Sequence, residues 1–144
     1  MNNQHSLETI ELEMAVLVRR LTTITSDKKN WPLDRSAYLL LHQLYIDGSS
    51  GVKFLADEFQ LDISTVSRQA AALEQKGYVI KVPDPTDGRA YFYQITDSGT
   101  KVLLENKQAR LDRLTEVLNE WSDEECESFG ELLKKFNESS MRKK

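Results

Sequence analysis

Residues 52–96 read VKFLADEFQLDISTVSRQAAALEQKGYVIKVPDPTDGRAYFYQIT. Two short helical patterns are separated by Gln60-Leu61-Asp62-Ile63, and two strand-like runs follow at once around a polar, glycine-containing loop. Leu55, Phe59, Leu61, Val66, Ala70 and Leu73 form one continuous inner surface if helices lie on either side of the turn. This succession predicts a helix-turn-helix followed by a wing.

On the second helix the outward positions in the first turn and a half are Ser64, Thr65, Ser67, Arg68 and Gln69. Short hydroxyls with one Arg and one Gln are the types that reach base edges and phosphates when a helix N-terminus enters the major groove of duplex DNA. Ser64 or Asp62 caps this helix and leaves its positive dipole end toward phosphate, and Ala71 and Ala72 keep it slim. An ordinary solvated face has the same residue types, so the hairpin decides. After Gly77, an expected C-cap, Tyr78–Val82 and Tyr91–Ile95 are rich in aromatic and β-branched residues. The turn-rich tip between them carries one base, Arg89. Such a hairpin lays its tip beside the helix and into the neighbouring minor groove.

The array L-A-x-x-F, S-T-V-S-R, L-E-x-K-G-Y-V, D-P-x-D-G-R-A and I-T-x-x-G resembles the MarR family of winged-helix transcription regulators. The family's wing typically reads D-x-R-D-x-R; this chain matches it at Asp84, Asp87 and Arg89 and departs from it at Thr86, where Arg is usual. The resemblance implies that Arg89 enters the minor groove with Asp87 clamping its guanidinium, an arrangement that preorganises a long side chain. Read without the resemblance, Asp87-Gly88-Arg89 is a hairpin tip with a surface ion pair. It further implies a homodimer that represses transcription from a pseudo-palindromic site on double-stranded DNA and is released by a small aromatic or phenolic effector. The effector would lie in a crevice between lobes, where Trp31, Tyr38, His42 and Tyr45 are candidates; each also reads as a core or surface aromatic.

At 144 residues the chain is predicted to be one mainly α domain, residues 1–144, with five to six helices and a small antiparallel hairpin. Residues 33–96 are assigned to a DNA-binding lobe, and 6–28 and 97–140 to dimerisation helices. The formal net charge of −4 opposes polyanion binding, and residues 53–101 hold six bases against seven acids. Binding must then rest on locally placed cations, duplicated by a dimer. The acidic balance favours a second reading, a winged-helix protein-interaction module that never meets DNA.

No apolar run approaches the roughly 20 residues that span a bilayer, and the leader Met1-Asn2-Asn3-Gln4-His5 lacks a signal pattern. One cysteine cannot form an internal disulfide, and the cytoplasm is expected. Neither His5 nor His42 sits in a ligand cluster, and no phosphate-binding or nucleophile motif is present. Neither catalysis, a metal nor a cofactor is expected. Peroxide-sensing members of the family carry their cysteine in the N-terminal helix, whereas Cys126 falls on the apolar stripe of the last helix and reads as a buried small hydrophobe.

Toward the N-terminus, Ser6 is an expected N-cap, and Ile10, Met14, Leu17, Leu21 and Ile24 form a narrow apolar stripe. It is either a monomer's inner face or a seam against another chain. Pro32 in DKKNWPL ends this helix. Residues 34–45 form the next, with Ala37, Leu40, Leu41 and Leu44 inward, and Asp47–Gly51 is a loop. Beyond the wing, Thr96 or Asp97 caps a helix to about Glu120 carrying Leu104, Leu111, Leu114 and Leu118, with Gly99 permitting close packing at the wing base. Ser122 and Glu125 form a capping box ahead of a helix with Cys126, Phe129, Leu133 and Phe136 in register. These terminal helices hold more apolar surface than a small winged helix can cover, and a dimer interface is its simplest destination. Two-fold symmetry would then set two recognition helices about one DNA turn apart.

Overall fold

The computed structural model describes residues 3–24 and 33–142. Within them the order is α1 (Gln4–Ile24), α2 (Arg35–Asp47), α3 (Val52–Phe59), α4 (Ile63–Gln75), β1 (Val79–Asp84), β2 (Asp87–Ile95), α5 (Asp97–Val117) and α6 (Asp123–Arg142).

Local chemistry sets most boundaries. Asp34 caps α2, its Oδ1 accepting the Ala37 N–H at 2.8 Å. Gln60, at φ 55°, closes α3: its N–H bonds the Asp57 carbonyl and the Leu61 N–H bonds that of Ala56. Gly77, at φ 82°, closes α4 in the same way, with Gly77 N–H on Glu74 and Tyr78 N–H on Leu73. Both ends have the paired bonds of a Schellman motif, which needs a left-handed residue. Glycine adopts that conformation without cost, whereas Gln60 is the one described non-glycine residue with positive φ. Asp62 is the N-cap of α4, though its side chain makes no capping bond, and Ser64 lies inside the helix.

The two strands pair antiparallel, Val79 with Ile95, Lys81 with Tyr93 and Pro83 with Tyr91, and the register shifts between Pro83 and Asp84. Pro83, which has no N–H to give, is tolerated because β1 is an edge. On the other side of β2, Ser50 exchanges both backbone bonds with Tyr93, at 3.0 and 2.8 Å. The loop after α2 thus adds a one-residue third strand, a long-range pairing that loop composition could not reveal.

The core lies where α2, α3, α4, the hairpin and the first half of α5 meet. Leu40, Leu41, Leu44, Leu55, Val66, Ala70, Leu73, Val79, Tyr93 and Leu103 are buried together. Three expectations fail here. Leu61 is 43% exposed, because the left-handed corner at Gln60 turns it away from the helices it was expected to join. Leu103 and Asn106 are the buried faces of α5, while Leu104 is exposed. The helix ends at Val117 rather than near Glu120.

Thr96 caps α5: its Oγ1 accepts the Gly99 N–H at 3.0 Å and donates to the Gly77 carbonyl at 2.7 Å. One hydroxyl thereby joins the end of α4 to the start of α5. Gly99 is tightly enclosed, since a Cβ there would fall 2.2 Å from the Tyr78 carbonyl oxygen. The capping box is reciprocal, with Ser122 N–H to Glu125 Oε1 at 2.9 Å and Glu125 N–H to Ser122 Oγ at 3.1 Å.

Helix α1 begins at Gln4, two residues before the expected cap at Ser6, with the Asn3 carbonyl accepting the Leu7 N–H at 2.8 Å. Its apolar surface is wider than one narrow stripe. Leu7, Leu12 and Val18 are exposed besides Ile10, Met14, Leu17 and Leu21, and Phe136 of α6 lines an open cleft with Leu7, Ile10, Met14 and Val18. Beyond the core-packed half of α5, Leu111, Leu114 and Val117 are exposed, as are Phe129, Leu132, Leu133 and Phe136 of α6. Cys126 is half-buried rather than buried. Most of the expected segment 27–33 falls outside the described residues. Among the described residues, no helix is long and apolar enough to cross a membrane.

Candidate nucleic-acid interface

Burial of Val66, Ala70 and Leu73 fixes the roll of α4 about its axis. Positions 64 and 68, one turn apart, then point into solvent, and Ser64 and Arg68 are exposed. Thr65, Ser67 and Gln69 lie on the flanks and are half-buried. Arg68 Nη2 donates to Thr65 Oγ1 at 3.4 Å, a long bond that leaves most of the guanidinium's donors directed outward. Ala71 and Ala72 are exposed, so no bulk guards this side of the helix. Gln75, passed over in the sequence reading, is also exposed, and helical spacing puts it on the face of Ser64 and Arg68.

The wing is joined to α4 by Glu74 Oε1 and Lys81 Nζ, 4.0 Å apart, and Lys81 also sits 4.5 Å above the Tyr91 ring. Tyr91 meets Tyr93 edge-on at 5.7 Å. Tyr93 is only 3% exposed. Burial, reinforced by Tyr91, pushes its hydroxyl pKa up to about 12, which keeps this neutral ring as the inner anchor of the wing.

At the tip, Pro85 and Thr86 form the turn. Asp84 Oδ1 accepts both the Thr86 N–H, at 2.8 Å, and its hydroxyl, at 2.9 Å. These bonds hold the Asp84 carboxyl below the ordinary carboxylate range. Thr86 therefore closes the turn with its hydroxyl at a position where a charge was usual. Asp87 Oδ1 accepts the Arg89 N–H at 3.0 Å and lies 3.8 Å from Arg89 Nε. The expected clamp on the guanidinium is reduced to this one long ion pair at Nε. Asp87 spends its near oxygen on the backbone and holds the position of Arg89, while the side chain, 97% exposed, projects freely into water.

The expected effector residues are brought together only in part. Tyr38 and His42 stack on α2 with centroids 6.3 Å apart, and the Arg110 guanidinium of α5 lies 4.1 Å from the Tyr38 centroid. Burial lowers the Arg110 pKa, an effect that Tyr38 opposes. Tyr45 is exposed toward the end of α2, and Trp31 lies outside the described residues. The sequence reading missed Arg110 and Asn106. Asn106 Oδ1 accepts the Leu33 N–H at 3.1 Å, tying α5 to the approach to α2. A polar residue amid leucines on a long helix was the available signal for Asn106. Among the described residues, no group of three or more His, Cys, Asp or Glu is placed to hold a metal ion.

A slim helix with a short polar face and an outstretched arginine on the adjoining hairpin defines the class of winged-helix DNA readers. The MarR family model matches residues 33–91. The uncharacterized HTH-type transcriptional regulator YxaD of Bacillus subtilis (strain 168) is 46% identical over 140 residues, 96% of this chain and 98% of that one. A MarR family protein from Bacillus stearothermophilus superposes with a TM-score of 0.80 over 97% of this chain and 99% of that one, at 22% identity. The PcaV transcriptional regulator of Streptomyces coelicolor, solved in complex with its natural ligand, superposes with a TM-score of 0.66 over 86% and 91%, also at 22% identity. The chain belongs to the MarR family of winged-helix transcription regulators, and it is a DNA-binding regulator rather than a protein-interaction module that never meets DNA.

Proposed function

We propose that this chain acts as a homodimeric repressor that occludes a promoter by binding a pseudo-palindromic duplex site and is released by a small aromatic or phenolic effector. Ser64, Thr65, Ser67, Arg68 and Gln69 enter the major groove, and Arg89, positioned through its backbone by Asp87, enters the minor groove. The observation that carries this assignment is the Arg89 side chain, 97% exposed at the tip of a hairpin braced against the recognition helix. Its long 3.8 Å approach to Asp87 engages only Nε and leaves the outer guanidinium nitrogens to water, and narrow minor grooves attract arginine.

The dimer reading rests on the apolar faces of α1, the second half of α5 and α6, which the single chain leaves in water. The change from DNA-binding lobe to dimerisation lobe is best placed within α5 after Arg110 rather than at residue 97, since Leu103 and Asn106 are buried in the winged-helix core. Tyr38, His42 and Arg110 supply an aromatic stack beside a cation, chemistry that suits an aromatic ligand with anionic or phenolic character. A ligand in that crevice acts by favouring a separation of the two recognition helices that no longer matches successive grooves.

The test is fluorescence anisotropy of duplex DNA from the region upstream of the chain's own gene, with the mass in solution measured alongside. The expected result is a dimer that prefers this duplex over random sequence, with Arg89→Ala weakening binding by about 1 to 3 kcal/mol. A monomer, or an Arg89→Ala variant that binds as tightly as wild type, refutes the assignment.

A further inference from the structure

We propose that the cleft between the start of α3 and strand β2 binds the carboxyl-terminal end of an extended peptide, with its carboxylate at α3 and its backbone along β2. The cleft has a volume of about 680 Å³, within the range of ligand sites, and none of the residues assigned above to DNA or to the effector lines it. The inference goes beyond the DNA-binding reading and does not rest on it.

The amides that open α3 stand at one end. Its N-cap, Gly51, has no side chain to cap it, and the first bond into the helix runs from the Leu55 N–H to the Gly51 carbonyl, so the N–H groups of Val52, Lys53 and Phe54 have no partner within the helix. They carry the positive end of the helix dipole. Lys53 adds a full charge that, among the described residues, enters no ion pair. Ser50 marks the same spot independently. It lines the cleft, is 6% exposed, and spends its backbone N–H and carbonyl on Tyr93. Its hydroxyl has no hydrogen-bond partner among the described residues, although buried hydroxyls ordinarily find one.

The side wall is an open strand edge. Tyr93 turns both of its backbone groups toward Ser50, and the two-residue period of a strand turns those of Tyr91 the same way. Ser50 cannot extend the pairing, because the chain enters α3 at Val52. On the other side of Tyr91, the Arg89 N–H is turned back onto Asp87. The free edge is therefore one residue long and offers one donor and one acceptor, the complement of a peptide unit. The end of a chain fits it, whereas a continuous strand does not. Phe54 and Phe92 supply apolar surface for the last side chain. Charge sets the direction: Asp84 stands at the tip end of the cleft and the free donors at the α3 end, so the peptide runs parallel to β2 with its carboxylate toward α3. Asp47, the other acid of the lining, accepts from Gln43 Nε2, which offsets part of its charge.

The test follows the nitrogen-labelled full chain by NMR during titration with a pool of N-acetylated tripeptides ending in Val, Leu or Phe, with the same pool as carboxamides, and with benzoate. The expected result is a saturable shift of the Val52 and Tyr91 amide resonances within about 10 mM free-acid peptide, with slower hydrogen exchange at the Tyr91 amide. The carboxamides should bind about tenfold more weakly. Ser50→Ala and Lys53→Gln, checked as folded by circular dichroism, should each weaken the free-acid pool several-fold. No shift over that range overturns the site, as does binding that neither variant alters. Equal binding of the two pools overturns the carboxylate contact at α3. Benzoate that binds as tightly as the free-acid pool without slowing exchange at Tyr91 overturns the peptide and gives the cleft to small acids. None of these readouts involves DNA, so the result stands whichever way the DNA-binding test falls.

Discussion

Replacing Gly99 by Ala tests how tightly the wing base is locked to α5. The added Cβ would stand 2.2 Å from the Tyr78 carbonyl oxygen, 2.9 Å from Ile95 Cγ1 and 3.0 Å from the Tyr78 carbonyl carbon. Two of these three atoms are backbone, so relief requires the chain leaving α4 to move away from α5 by about 1 Å. The Tyr78 carbonyl also accepts the Thr96 N–H at 3.0 Å, and Thr96 caps the helix through Gly99 itself. The movement therefore strains the overpacked site, at about 1 to 3 kcal/mol, and weakens the cap, at about 1 kcal/mol. Alanine's better helix propensity returns about 1 kcal/mol. The expected net loss is about 2 kcal/mol, seen as a lower urea midpoint with unchanged m-value and a Tm lowered by roughly 6 °C. Gly130 in α6 meets nothing within 4 Å, so Gly130→Ala is a control of opposite sign, gaining up to about 1 kcal/mol. A Gly99→Ala variant as stable as wild type would refute the contact and with it the rigid joint at Thr96.

Ser122→Ala and Glu125→Ala should each lower stability by about 0.5 to 2 kcal/mol, and in a double-mutant cycle their losses should not add, because both bonds belong to one reciprocal box; strict additivity in urea unfolding would contradict it. Tyr93 links stability to alkaline pH. With its folded pKa raised from 10.0 to about 12, its contribution is complete below about pH 10 and is lost as pH rises toward 12. Urea midpoints should fall faster over that range in wild type than in Tyr93→Phe, and parallel curves would count against the burial of the hydroxyl. Thr86→Arg exchanges the Asp84-bonded hydroxyl for a charge at the wing tip. Binding to random duplex should tighten and the salt slope steepen by about one per wing; an unchanged slope would mean that the tip never nears a phosphate.

The readable parts of the fold were those in which neighbours in sequence are neighbours in space. The three-and-four spacing of Val66, Ala70 and Leu73, the Gly77 stop and the Ser122–Glu125 box each declare themselves within a few residues and are found as expected, and the hairpin runs are found too, though the strands continue through residues 83–84 and 87–90, which composition marked as loop. Pairings across the chain were not readable. Ser50 meets Tyr93 over a gap that no local pattern spans, and Met141 meets Gln60 over a longer one. Helix α5 misled because its first half faces the winged-helix core through Leu103 and Asn106, while its second half presents Leu111 and Leu114 elsewhere. One periodic stripe through Leu104 could not describe two environments. At the wing, the sequence located Asp87 and Arg89 but assigned the carboxylate to the guanidinium. Backbone geometry gives its near oxygen first to the Arg89 N–H and leaves the guanidinium only a 3.8 Å approach at Nε.

The Thr96 hydroxyl, shared between the carbonyl end of α4 and the amide start of α5, makes those two helices one lever. Helix α5 has 21 residues, a length of about 31 Å at 1.5 Å per residue. With no slack at the fulcrum, a tilt of about 5° applied at its far end carries through an arm of that length as a displacement of roughly 3 Å. In the proposed dimer, the angle at which α5 is held would thus set how the two recognition helices seat in successive grooves.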